Sequence, residues 1–241
     1  MSVERIIDVF KLKLNSLRRE LFVSAAVVQL GGQALAHPQN RPGSVSLRVA
    51  ADTVSEPYPV DVLLPHMGII KNVVCELFQG KIISAWHDLL DELYEFLIRE
   101  HFDGRRQFPE AKKIKPEVNL QATQSWQEQV LKSAVDNFGF LEYGDRVKPI
   151  NLTLNPAGEN TEQFALILKH VHIRNAVQHH SSKVNENMQR KLGRDEIELL
   201  DDQCDKRRFA LHDFIEISIP EIEALYRALW LLTNVWRRNG V

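Results

Sequence analysis

The sequence predicts a mostly α-helical protein with a small amount of β in its loops, and three observations predict it. Apolar residues recur at helical spacing, most clearly at Ile82, Trp86, Leu89, Leu90, Leu93, Phe96 and Leu97, with Asp88, Asp91, Glu92 and Glu95 on the opposite side. Helix-start signals precede apolar runs at Ser125-Trp126-Gln127-Glu128 and at Ser218-Ile219-Pro220-Glu221. Alternation of the strand kind is confined to two short stretches, Val45-Leu47-Val49 and Ile215-Ile217-Ile219.

Taken in order, residues 3 to 36 read as a helix, charged early and apolar in its second half, followed by a Pro- and Ser-rich loop from His37 to Pro59. Pro65 can open the next helix, because a missing N–H costs nothing in the first turn. That helix runs from about Ile69 to His101, with Gly80 as a candidate bend. Gly104 to Val118 is a basic connector carrying Arg105, Arg106, Lys112, Lys113 and Lys115, of the kind that is usually a solvated loop. The helix opened by Ser125 is expected to close at Phe138-Gly139-Phe140 on a left-handed Gly139. Residues 140 to 160 read as a loop punctuated by Pro and Gly, and a helix follows from about Glu162 to His179. Beyond it a polar, mobile stretch to Asp205 is expected, and the last helix closes at Asn239-Gly240. Residues 1–60 are read as an N-terminal extension and 61–241 as the helical domain.

Composition narrows the function classes. With 44% hydrophobic and 26% charged residues, the chain is apolar enough to form a packed core. A formal net charge of -2 gives no global attraction to nucleic acid, so any such contact needs a local patch. Cys75 and Cys204 are too few for a disulfide framework or a zinc site and read as structural thiols of a reducing compartment. Glu4, Arg5, Asp8 and Lys11 occupy the place of a signal peptide's apolar region. The longest apolar run, Leu21 to Ala36, is broken by Gln29 and Gln33 and falls short of the roughly 20 residues of a membrane span. It is expected to be a buried helix in a soluble, cytoplasmic protein.

The segment that carries chemistry is Arg174-Asn175-Ala176-Val177-Gln178-His179. At about 100° per residue, Leu166, Ile173, Ala176 and Val177 share a sector that should face the core, while His172, Asn175 and His179 share another. Asn175 and His179 stand at i, i+4, so their side chains can touch, and the stem of Arg174 can swing over them. His179 lies near the helix C-terminus, where the helix dipole favours positive charge. An Arg, an amide and a titratable His together suit phosphodiester cleavage, the His moving protons and the Arg holding developing negative charge. His170, His172, His179 and His180 do not make a zinc site: His172 and His179 lie about 10 Å apart along the axis, His170 points elsewhere, and His180 leans toward the core sector. No metal or cofactor is expected. There is no Gly-rich phosphate loop, no Gly-x-Ser-x-Gly elbow and no Cys in a nucleophile context.

The run from His170 to Asn185 resembles the signature of the HEPN superfamily (higher eukaryote and prokaryote nucleotide-binding): an Arg, a polar residue often Asn, a few residues, then His, with a polar turn leading into Val-Asn. The likeness extends over roughly residues 65 to 238, through the helix around Trp86, the helix ending at Phe138-Gly139 and the closing helix from Ile222 to Trp236. Here Gln178 and Ser181-Ser182 replace a more usual apolar residue and Asn-rich turn, and His180 directly follows His179. The resemblance implies a HEPN-like helical bundle, usually a homodimer with the motif helices of two protomers lining one cleft. It implies a metal-independent endoribonuclease with a toxin, phage-defence or RNA-processing role, in which Arg174 and His179 are catalytic and Asn175 supports them. RNA and a cognate antitoxin or partner protein are the implied partners. The other reading it implies is a non-catalytic module that binds RNA, a nucleotide or a partner protein.

Overall fold

A computed structural model describes residues 2–40, 43–46, 48–113, 115 and 124–240. The fold is mostly α. Its frame is three long helices: α1 (Val3–Ala36), α3 (Met67–Phe102) and α8 (Ile219–Asn239). Lys13 meets Asp88 at 2.8 Å, Lys81 meets Glu20 at 4.0 Å, and Met67 lies against Gly32. As one number rises the other falls, so α1 and α3 are antiparallel over their whole length. The same logic sets α8 antiparallel to α1, through Arg237 with Glu4 and Asp8, Lys11 with Asn234, and Arg18 with Glu223 at 2.7 Å.

This pairing overturns the expected burial of Leu21 to Ala36. α8 begins at Ile219, so it covers α1 only as far as about Leu21, the last fully buried residue of that helix. Beyond it Val23, Val27 and Leu30 are exposed. The first half of α1, from Val3 to Leu21, shares one core with α3 and α8 around the stacked pair Trp86 and Trp236, whose ring centroids lie 5.2 Å apart. The core therefore runs across residue 60.

Between α1 and α3 the chain makes two small antiparallel pairs, β1 (Ser44–Val45) with β4 (Tyr58–Pro59) and β2 (Arg48–Ala50) with β3 (Thr53–Val54). Leu47 of the expected strand lies outside the described residues. A single turn, α2 (Val60–Leu63), leads into a 3-10 turn at Leu64–His66. That turn holds Pro65, and α3 follows without a break at Gly80. Of the basic connector, Arg105 pairs with Glu100 and Asp103, Phe108 is buried against Tyr94, and residues 114 and 116–123 lie outside the described residues.

Helix α4 (Trp126–Gly139) opens on the full capping box of Ser125 and Glu128. Its end differs from expectation: Gly139 is the last helical residue and does not take a positive φ. The expected loop 140–160 is largely a helix, α5 (Tyr143–Leu154), with Pro149 inside it. Tyr143, Arg146, Val147, Ile150 and Leu154 keep helical spacing and are buried, so tertiary packing outweighs the proline and Gly144. Helix α6 (Thr161–His179) carries the motif. The polar stretch after it is ordered rather than mobile, as α7 (Glu186–Leu192) and a hairpin of β5 (Ile197–Leu200) with β6 (Lys206–Phe209). Ile215 and Ile217 are buried in an extended connection, and Ile219 already begins α8 instead of ending a strand. Among the described residues no helix is long and apolar enough to cross a membrane.

Candidate functional site

The motif helix is fixed at its core face and at its end. Ile167, Val171, Ile173 and Ala176 are buried, while Leu166 and Val177 pack partly buried against them. Gln79 of α3 donates its side-chain N–H to the His170 carbonyl at 2.7 Å. His179 is the last helical residue and His180 the C-cap; both are exposed, so His180 does not turn toward the core as expected. Ser181 and Ser182 take left-handed φ of 52° and 57°, reversing the chain. The reversed strand is then held by the Val184 N–H to Asp213 O at 3.0 Å and the Ile215 N–H to Ser182 O at 2.8 Å. Val184 is buried, and Asn185 caps α7 by accepting from the Met188 N–H at 2.9 Å.

On the other face of α6, Arg174 is half-buried and donates to the Asn175 side-chain oxygen at 3.4 Å. Its Nε–H is enclosed without a partner, and among the described residues no ion pair reaches it. Arg174 forms the shared wall of two adjoining hollows of about 650 Å³ each, which together make a trough along α3. One end is lined by Val73, Leu77 and Val177, the other by His87, Arg146, His172 and Asn175. His179 does not line it.

No family model, curated protein or solved structure matches this chain. The site therefore stands on its residues.

At the polar end, Arg146 is buried and lies between Asp91 and His87, donating Nη1 to His87 Nδ1 at 2.9 Å. Burial first, then the charges of Arg146 and Arg174, bring the His87 pKa down to about 4. Burial also lowers that of His172, with Lys191 adding to the effect. Sequence reasoning found Arg174 and Asn175 but not His87 or Arg146. Arg146 sits on the helix read as a loop, and His87 precedes the acidic residues set on the side of its helix away from the apolar stripe.

A second cluster lies beneath the site. His170, fully buried, bonds Glu221 through Nε2 at 2.9 Å, while Lys169 Nζ reaches the same carboxylate at 2.7 Å. The Leu200 N–H donates to the other carboxylate oxygen at 2.7 Å. The expected capping box at Ser218 is thus only half made: Ser218 accepts the Glu221 N–H at 3.2 Å, but the Glu221 side chain is turned inward to tie α6 and β5 to α8. Among the described residues no group of three or more His, Cys, Asp or Glu is placed to hold a metal ion.

Proposed function

We propose that this chain is a metal-independent endoribonuclease of HEPN type, a cytoplasmic homodimer with a toxin, phage-defence or RNA-processing role. The observation that carries the reading is Arg174: a half-buried guanidinium with no carboxylate paired to it among the described residues, beside Asn175 and just over a turn from the exposed His179. A desolvated cation with no counter-ion is prepared for an anionic ligand. The position of Val184 as a buried anchor and of Asn185 as a helix cap gives the motif's polar turn and Val-Asn a structural purpose.

In this mechanism His179 takes the proton of the ribose 2′-OH as its oxygen bonds to the adjacent phosphorus. Arg174 holds the negative charge of the phosphorane, and Asn175 orients the guanidinium. The P–O5′ bond then breaks, and His179 of the second protomer protonates the leaving oxygen. The products are a 2′,3′-cyclic phosphate and a 5′-hydroxyl, and DNA resists because it lacks the 2′-OH. A structured RNA incubated with the protein and EDTA is expected to be cut to these ends. Cleavage that vanishes with EDTA, or that survives His179→Ala, would falsify the assignment.

In-line cleavage needs an acid and a base on opposite sides of phosphorus, and a two-fold axis beside α6 supplies the second His. Apolar residues left exposed on α1 and α3, Val73 and Leu77 of the trough wall among them, support this association. Val23, Val27, Leu30, Ile69, Val73 and Leu77 are each 54–64% exposed. Light scattering is expected to give twice the 27.7 kDa chain mass at micromolar concentration. A monomeric mass would sink the composite site.

One feature favours the other reading, a non-catalytic module that binds RNA, a nucleotide or a partner protein such as an antitoxin: His179 stands outside the trough that Arg174 divides. Expression that harms a host cell and is relieved by Arg174→Ala separates the nuclease from the binder.

A further inference from the structure

We propose that the polar end of the trough is a phosphate site in which His87, as a neutral imidazole, donates its Nε2–H to a phosphate oxygen opposite Arg174. The proposal rests on the RNA reading above and extends it to residues outside the motif. The tautomer follows from the donor. A guanidinium can only donate, so Arg146 Nη1 at 2.9 Å requires His87 Nδ1 to accept, and the ring's one proton must sit on Nε2. Arg146 is itself held in place by Asp91 and is buried, so the ring cannot reverse without breaking that bond.

The remaining polar groups select the ligand. Lys191 is paired with Glu142 at 2.8 Å and Lys13 with Asp88 at 2.8 Å. Ser84, His172 and Asn175 also line this end with groups that can accept as well as donate; the groups left that can only donate are the Arg174 guanidinium and the His87 Nε2–H, which has no partner among the described residues and is not enclosed. Both are donors. A ligand that satisfies them must offer acceptor oxygens and negative charge, as a phosphate does, while the neutral imidazole avoids adding a second proton to compete for. A phosphate here could come from an RNA backbone or from a free nucleotide, and the chemistry is the same.

The test is nitrogen NMR of histidine-labelled full-length protein at neutral pH, with His87→Gln identifying the signals. In the unmutated protein His87 is expected to show a protonated Nε2 and an unprotonated Nδ1. The Nε2–H signal should move on adding inorganic phosphate, uridine 3′-monophosphate or a 2′-deoxy oligonucleotide. Movement with the oligonucleotide alone assigns the backbone, and movement with the mononucleotide assigns a nucleotide; either supports the site. His87→Gln keeps an N–H donor and should hold affinity within about threefold, whereas His87→Phe should weaken it ~10-fold. A proton found on Nδ1, or ligand binding that leaves the His87 signals unmoved, overturns the proposal and leaves the nuclease reading standing. Ligand-induced movement in a protein that cuts no RNA does the reverse.

Discussion

Arg174→Ala is expected to lower RNA cleavage by ~10³-fold or more, the scale on which a charge-stabilising group acts in the transition state. The same substitution should leave the melting temperature within about 2 °C of the parent, because among the described residues no ion pair is lost. Among the described residues the guanidinium bonds only Asn175, at 3.4 Å, and its Nε–H is already enclosed without a partner. What disappears is the packing of the stem along the trough, a small term. This separation of rate from stability is what distinguishes a functional Arg from Arg146, whose bonds to Asp91 and His87 join α5 to α3. Arg174→Lys should restore little, since an ammonium lacks the planar fork that spans two phosphate oxygens. Circular dichroism melts beside a gel assay of RNA cleavage make the measurement. Cleavage by the alanine variant within tenfold of the parent would remove Arg174 from the mechanism.

Much of the frame is legible in the sequence, because caps and periodicity act locally. Ser125 and Glu128 close their capping box as the spacing predicts, and the apolar spacing from Ile82 to Leu97 lies within one continuous helix. What is not legible is set by neighbours distant in the chain. Pro149 and Gly144 disfavour a helix locally, yet Val147, Ile150 and Leu154 are buried in one. Leu21 to Ala36 has the composition of a buried helix, but burial needs a covering element, and α8 starts too late to reach it. The candidate site divides the same way. Arg174, Asn175 and His179 are contiguous in sequence and can be read as a motif, while His87 and Arg146 meet Arg174 only through the packing of α3, α5 and α6. Glu221 was hidden by its own signal: three residues after Ser218 it reads as a cap, and only the fold turns it toward Lys169 and His170.

That inward turn makes Glu221→Ala a severely damaging substitution. Burial would raise the pKa of this carboxyl, but His170 and the Lys169 ammonium outweigh it and hold the group down at about 2. Burial lowers the His170 pKa despite its bond to Glu221, and the Lys169 ammonium at 2.7 Å pairs with the same carboxylate. Removing the carboxylate leaves a mostly buried ammonium, an imidazole N–H and a backbone N–H without their acceptor. The cost is ~3–5 kcal/mol, the scale of a buried ion pair broken on one side. For a chain of this size that lowers the melting temperature by roughly 6–20 °C. Glu221→Gln keeps an acceptor oxygen and should lose less. The pH dependence has a fixed sign. Glu221 has a folded pKa below its ordinary 4.5, so its stability is present above 4.5 and is lost as pH falls toward about 2. His170, whose folded pKa lies below 6.5, takes up a proton more readily when unfolded, so stability also falls as pH drops below 6.5. The parent should therefore weaken in acid in two stages, and Glu221→Ala should flatten the lower one. Urea melts of both proteins from pH 7 to pH 3 test it. An alanine variant as stable as the parent at pH 7, or with an unchanged acid profile, would show that Lys169, His170 and Leu200 are satisfied by other groups.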